Sequence, residues 1–269
     1  MSDMSELACS LCDHPLERVR YFCRQLLTAE DMTLEQEYFR QKLRRHNHYL
    51  HGFGVVCGCA VEPAPESALP WQIRVCPGYA VAPQGDEVLI PECVLFDLAT
   101  CRQKEEPCAP CPCPPAMQPS TNQERQKIYV AARYTECSTR PVRVHPAGCE
   151  CDDCACEYSR VRDDFCLAVL CDLPDCYVKA AAIENDWLKA MQAVQVSGGA
   201  NLGANIAAVP APRGLPVPEC LCCLDPWVIL ATVLLPADMK TPIAAADITY
   251  VDRRVLYSES LLFKLIMSK

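Results

Sequence analysis

Positive charge, long apolar runs and catalytic motifs are what this sequence has little of. Its 25 lysines and arginines face 34 acidic residues, a formal net charge of -9 over 269 residues. Such an acidic chain repels polyanions, which argues against DNA, RNA or an anionic membrane surface as partner. The longest apolar run, Trp227 to Leu235, is far short of the roughly 20 residues a helix needs to span a bilayer. The opening MSDMSELACS has neither the basic nor the apolar region of a signal peptide, so cytosolic synthesis without membrane insertion is expected. No Gly-x-Ser-x-Gly, phosphate-cradling glycine loop or His-Glu-x-x-His occurs, and no nucleophile, base and orienting group can be assembled from motifs. Catalytic activity is therefore not expected.

What is present is apolar content, at 51 %, enough to fold most of the chain as one large β domain or two smaller ones. The stretch from Arg20 to Val61 joins the best helix signal to the best strand signal. Thr33 and Gln36 have capping-box spacing. Leu34, Tyr38, Phe39, Leu43, His46 and Leu50 then recur as one stripe, and Gly52 and Gly54 end the helix. Leu26 to Met32 reads as a separate short turn capped by Thr28. Arg44, Arg45, His46 and His48 fall in the last turns, where positive charge suits the helix dipole, so the basic cluster needs no phosphate to explain it. Val55 to Val61 reads as a strand with Gly58 marking a bulge or close backbone contact, and Cys57 and Cys59 within it as inert thiols.

Alternation at Trp71 to Val75, then Tyr79 to Ala82 and Glu87 to Ile90 around Pro83-Gln-Gly85-Asp86, predicts an antiparallel meander over residues 55–98. The β pattern resumes at Ile128 to Tyr134 and Glu157 to Cys171, and Trp227 to Leu235 reads as a strand buried on both faces. Ala180 to Val196 is a helix pattern with Ile183, Trp187, Leu188, Met191 and Val194 on one face. Ser258 to Met267 reads as a closing helix packed through Leu261, Leu262, Leu265 and Ile266. The fold class expected is mainly β with a few helices: a β-sandwich or barrel-like antiparallel sheet, an N-terminal helix packed on it, and cysteine-rich loop excursions. Residues 1–19 form a cysteine-containing N-terminal segment, and 20–269 a single β-rich domain with excursions at 101–124, 141–156 and 198–223.

Cysteine is the anomaly: 22 of them, a density near that of disulfide scaffolds, in a chain longer than such scaffolds and without their secretion signal. In a reducing cytosol, clustered cysteines are metal ligands or buried small hydrophobes. Cys9 and Cys12 have the two-residue spacing that presents two sulfurs to one metal. Cys108, Cys111 and Cys113 alternate with prolines in a segment that needs a staple to be ordered. Cys149, Cys151, Cys154 and Cys156 alternate with Glu150, Asp152 and Asp153, whose charge would hold the thiols protonated unless a cation drew them off. Zinc, disulfides or free thiols each remain open for these clusters. Cys220, Cys222 and Cys223 could join another cluster or pair with isolated cysteines such as Cys166, Cys171 or Cys176, and sequence does not set the connectivity.

The run RYFCRQLLTAEDMTLEQEYFRQKLRRHNHYLHGFGVVCGCAV, continued by IRVCPGYAVAPQGDEVLIPE and by KIYVAARY, EYSRVRDDF and WVILATVLL, resembles an uncharacterised bacterial family associated with gene clusters for phage-tail-like contractile injection particles. The cysteine-rich insertions depart from the family pattern. The resemblance implies a structural or assembly role in a contractile or filamentous particle, with self-association or other particle subunits as partners and release as part of an extracellular particle. The other class of function is a metal-binding or redox protein holding zinc, an iron–sulfur cluster or cycling thiols.

Overall fold

The computed structural model describes residues 15–65, 67–99, 125–144, 155–198, 221, 225–238 and 240–267. They form a mainly β protein: ten strands in three antiparallel sheets, with helices α1 (Ala29–His46), α2 (Asp175–Gly198) and α3 (Glu259–Met267).

Helix α1 begins one turn before the Thr33/Gln36 box. Its cap is Thr28, whose hydroxyl accepts from Asp31 N–H while the Asp31 carboxylate accepts from Thr28 N–H. Thr33 lies inside the helix and donates back to Ala29 O. Asp thus serves where the sequence suggested Gln, because either side chain, three residues past the cap, can accept from the cap residue's amide. The helix runs on through a π turn, Asn47–His51, to Gly52 at φ 78°.

Residues 54–97 are the expected meander, folded over a corner. Three long strands run antiparallel in the order 54–63, 72–81, 87–97, and each is broken once. Strand β1 (Gly54–Gly58), β4 (Gly78–Val81) and β5 (Glu87–Ile90) make one small sheet, while β2 (Val61–Pro63), β3 (Gln72–Val75) and β6 (Val94–Asp97) make the other. The register hardly changes across the break: Gly58 lies opposite Gly78 and Val61 opposite Val75. The corner is made by Gly58 at φ 61° and Cys59 at φ 52°. A Cβ on Gly58 would drive into Pro77 O, and one on Gly78 into Cys59 N, so both glycines are required there.

The third sheet has the order β10-β9-β7-β8, from β7 (Lys127–Val144), β8 (Ala155–Leu170), β9 (Val228–Leu234) and β10 (Ile248–Thr249). β9 is the buried central strand that its apolar run predicted. One face of this sheet meets the corner sheets in the main core around Trp71, Ile73, Ile90, Val130 and Leu230. The other carries Tyr129, Ala131 and Ile229 against Phe53 and the first turns of α2, through Cys176, Tyr177 and Ala180. α2 therefore starts at Asp175, earlier than the 180–196 stripe, and Leu188 of that stripe is exposed. Between Val130 and Ala131 the β7–β9 register shifts, and the Ile229 N–H at this bulge donates to Tyr177 Oη at 2.7 Å.

β9 pairs with β7 only as far as Ala132, whereas the β7–β8 ladder continues to Val144 opposite Ala155. The remainder is a two-stranded arm. It includes Pro141 to Val144 and Ala155-Cys156, which the sequence assigned to an excursion. Proline is tolerated because a two-stranded ribbon leaves one side of each strand unpaired. Residues 250–257 then run back along β1 as a strap: Val55 N–H donates to Arg254 O and Leu256 N–H to Val55 O, each at 2.9 Å. Arg253 donates to Cys59 O and Gly58 O at the corner. Beyond the strap, Leu261 and Leu262 of α3 are exposed instead of packed as the sequence suggested.

Candidate functional site

A polar cleft of about 320 Å³ opens where α1 passes the β4–β5 turn and the root of the arm. Its walls come from three regions distant in sequence. From α1, Arg40 and Arg44 are one turn apart and share a face. From the turn, Asp86 receives Arg44 Nε at 2.6 Å. From the arm, Glu136 receives Arg40 Nη2 at 2.6 Å. Tyr134 Oη lies 2.8 Å from Asp163 Oδ1 and 3.0 Å from Glu136 Oε1. One phenolic proton serves one carboxylate at a time. Burial and the two acidic partners hold the Tyr134 hydroxyl well above its ordinary range, so it acts as a donor throughout the neutral region.

The end of α1 is seated firmly. Asn47 Nδ2 donates to Gly85 O at 2.9 Å, and Gly85 packs so closely on the Arg44 backbone that a Cβ would not fit. His48 is buried with Nδ1 2.6 Å from Pro83 O and Nε2 2.7 Å from Leu221 O. The basic cluster is thus a set of tethers. Arg44 holds the turn, His48 bridges two carbonyls, and His46 meets His51 at the surface, Nε2 to Nε2 at 3.3 Å. What the cleft does chemically follows from its lining: among the described residues it is walled by arginines, carboxylates and one tyrosine, and these contacts make it a joint of ion pairs between helix, turn and arm.

The thiol sites proposed from sequence fall elsewhere. Cys9, Cys12, Cys108, Cys111, Cys113, Cys149, Cys151 and Cys154 lie outside the described residues, and for Cys156 only the backbone is described, in β8 opposite Arg143. Among the described residues no three His, Cys, Asp or Glu side chains group as metal ligands. Cys166, Cys171 and Cys176 are disulfide-bonded. Cys23, Cys57, Cys59, Cys76, Cys93 and Cys137 are free. Cys59 is buried at the corner, and burial pushes its thiol up to about 11, so it stays protonated and unreactive.

No helix among the described residues is long and apolar enough to cross a membrane. Compared by sequence, the chain matches no protein family and no characterised protein. The cleft must therefore be read from its own residues. Sequence reasoning missed Asp86, Tyr134, Glu136 and Asp163, which sit on three elements. The one linear signal was the one-turn spacing of Arg40 and Arg44.

Proposed function

We propose that this chain is a structural or assembly subunit of a phage-tail-like contractile injection or filamentous particle, packing against copies of itself or other subunits. The observation that carries this reading is α1. None of its residues is buried, and its apolar stripe faces outward, with Leu34 40 %, Phe39 59 % and Leu43 50 % exposed. A helix anchored at one end by Arg44, Asn47 and His48, with its apolar residues uncovered, is arranged to be completed by a neighbour. The arm supports the same reading, since a two-stranded ribbon is marginal alone and gains stability by packing. The resemblance of the stretch from RRHN to PGYA to a contractile-particle family supports the particle class. The reading assigns no enzymatic turnover to the chain.

The test is light scattering across a concentration series on the purified protein, beside a Phe39→Glu/Leu43→Glu variant. The expected result is assembly that grows with concentration and is lost in the variant without loss of β-sheet circular dichroism. A monodisperse monomer throughout, which also fails to join tail-like particles when their other subunits are supplied, would remove the proposal.

A further inference from the structure

Two free cysteines outside every sequence cluster face each other across a ladder. In the β3–β6 pairing, Val75 lies opposite Val94, and the next pair along that register is Cys76 and Cys93. The Cys76 N–H points the other way, donating to Ala60 O at 2.8 Å. Cys76 and Cys93 therefore form a non-hydrogen-bonded antiparallel pair, the type in which Cα atoms stand about 4.5 Å apart and side chains lie closest. That falls within the roughly 4.4–6.8 Å range a disulfide spans. Both thiols are free, Cys93 exposed and Cys76 half-buried.

We propose that Cys76 and Cys93 are a redox site: they close to a reversible cross-strand disulfide when the protein meets an oxidising small-molecule disulfide such as oxidised glutathione. The exposed Cys93 thiolate attacks one sulfur of the small disulfide, forming a mixed disulfide and expelling one thiolate. The Cys76 thiolate then attacks the Cys93 sulfur and expels the second. The protein loses two thiol protons and two electrons, and the small disulfide is reduced to two thiols that take up those protons. Burial beside Glu62 disfavours the Cys76 thiolate, which suits Cys76 to the second, intramolecular step, where proximity offsets a low thiolate fraction.

The closed loop would enclose residues 77–92, which comprise β4, the turn carrying Gly85 and Asp86, and β5. Oxidation therefore clasps the corner and the seat of α1 together, and reduction frees them. The site stands whether or not the chain belongs to a particle, because it rests on register alone.

The experiment treats the native full chain with oxidised glutathione, blocks remaining thiols by alkylation, unfolds it and cleaves after glutamate. Cuts at Glu87 and Glu92 separate the two cysteines, so their peptides stay together only through the disulfide. The expected result is a linked pair that separates on reduction, disappears in Cys93→Ser and persists in Cys101→Ser, whose cysteine shares the Cys93 peptide. Because the wild-type result is decisive alone, a variant that fails to fold does not obscure it. Peptides recovered apart, with alkylated or glutathione-capped thiols, would overturn the proposal. So would a link that forms as readily when the chain is oxidised in denaturant.

Discussion

Arg44 Nε donates to Asp86 Oδ1 at 2.6 Å across 42 residues of sequence, and neither side chain is more than about a fifth exposed, at 21 % and 13 %. This contact is the hinge pin between a helix that buries nothing of its own and the β core. Asp86→Ala should leave the half-buried guanidinium with only the longer contact to Glu37, 3.8 Å away, a loss of about 1–3 kcal/mol. The loss should be local. Hydrogen exchange is expected to speed up in α1 amides while those of β9 keep their protection.

Gly85→Ala tests the same joint from the other side. Gly85 has φ +90° and lies against the Arg44 backbone, so an alanine there is strained in its own backbone and collides as well. Chemical denaturation should show a larger destabilisation for Gly85→Ala than for Asp86→Ala. Equal midpoints would mean that the helix end is not seated on the turn.

Tyr177→Phe removes one oxygen and keeps the ring, which packs edge-on against Phe53 at 5.0 Å. The Ile229 N–H would then be buried without an acceptor, at a cost of about 1–3 kcal/mol. Thermal unfolding should fall accordingly. An unchanged midpoint would show that the β7–β9 bulge finds its acceptor elsewhere.

Asp247 sets an acid limit. The hydrogen bond from Arg125 Nη1, at 2.8 Å, holds its carboxyl below the ordinary range, reinforced by the Ala244 N–H and opposed by burial. A depressed folded-state value means stability that is fully present above the unfolded carboxylate value of about 3.9, and lost as pH falls through the folded value. Denaturation midpoints measured from pH 7 downward should drop more steeply below about pH 4 for the wild type than for Asp247→Asn. Parallel curves would contradict this.

The strands were legible because their periods are local: Trp71 to Val75 alternates, and Trp227 to Leu235 does not because β9 is covered on both faces. The corner was less so. Gly58 signalled a close contact, yet nothing in the sequence near it says that Gly78 must be its partner. The arm was cut short at Pro141, since proline's preference against central strands says little about an open ribbon. For α1 and α3, periodicity correctly gave helices and an apolar face, but periodicity states which residues share a face and not whether anything covers it. The cleft was invisible for the opposite reason. Arg40, Asp86, Tyr134 and Asp163 meet only after helix, turn and both strands of the arm have packed, so no spacing encodes them. The cysteine clusters were the loudest signal in the chain, while the Cys76–Cys93 pair is silent until register is known.

Because each of the three meander strands passes through the corner from one small sheet into the other, the two sheets are built on the same strand alignments, offset by a single residue between the second and third strands, with Tyr79 opposite Leu89 and Val75 opposite Val94. A one-residue slip begun at the β4–β5 turn would move the third strand as a whole, turning Val88 and Ile90 outward and carrying β6 along with them. The four-residue turn Pro83–Asp86 therefore governs packing on both sides of the bend. Errors there are not contained, so the corner units should form or fail as one cooperative piece.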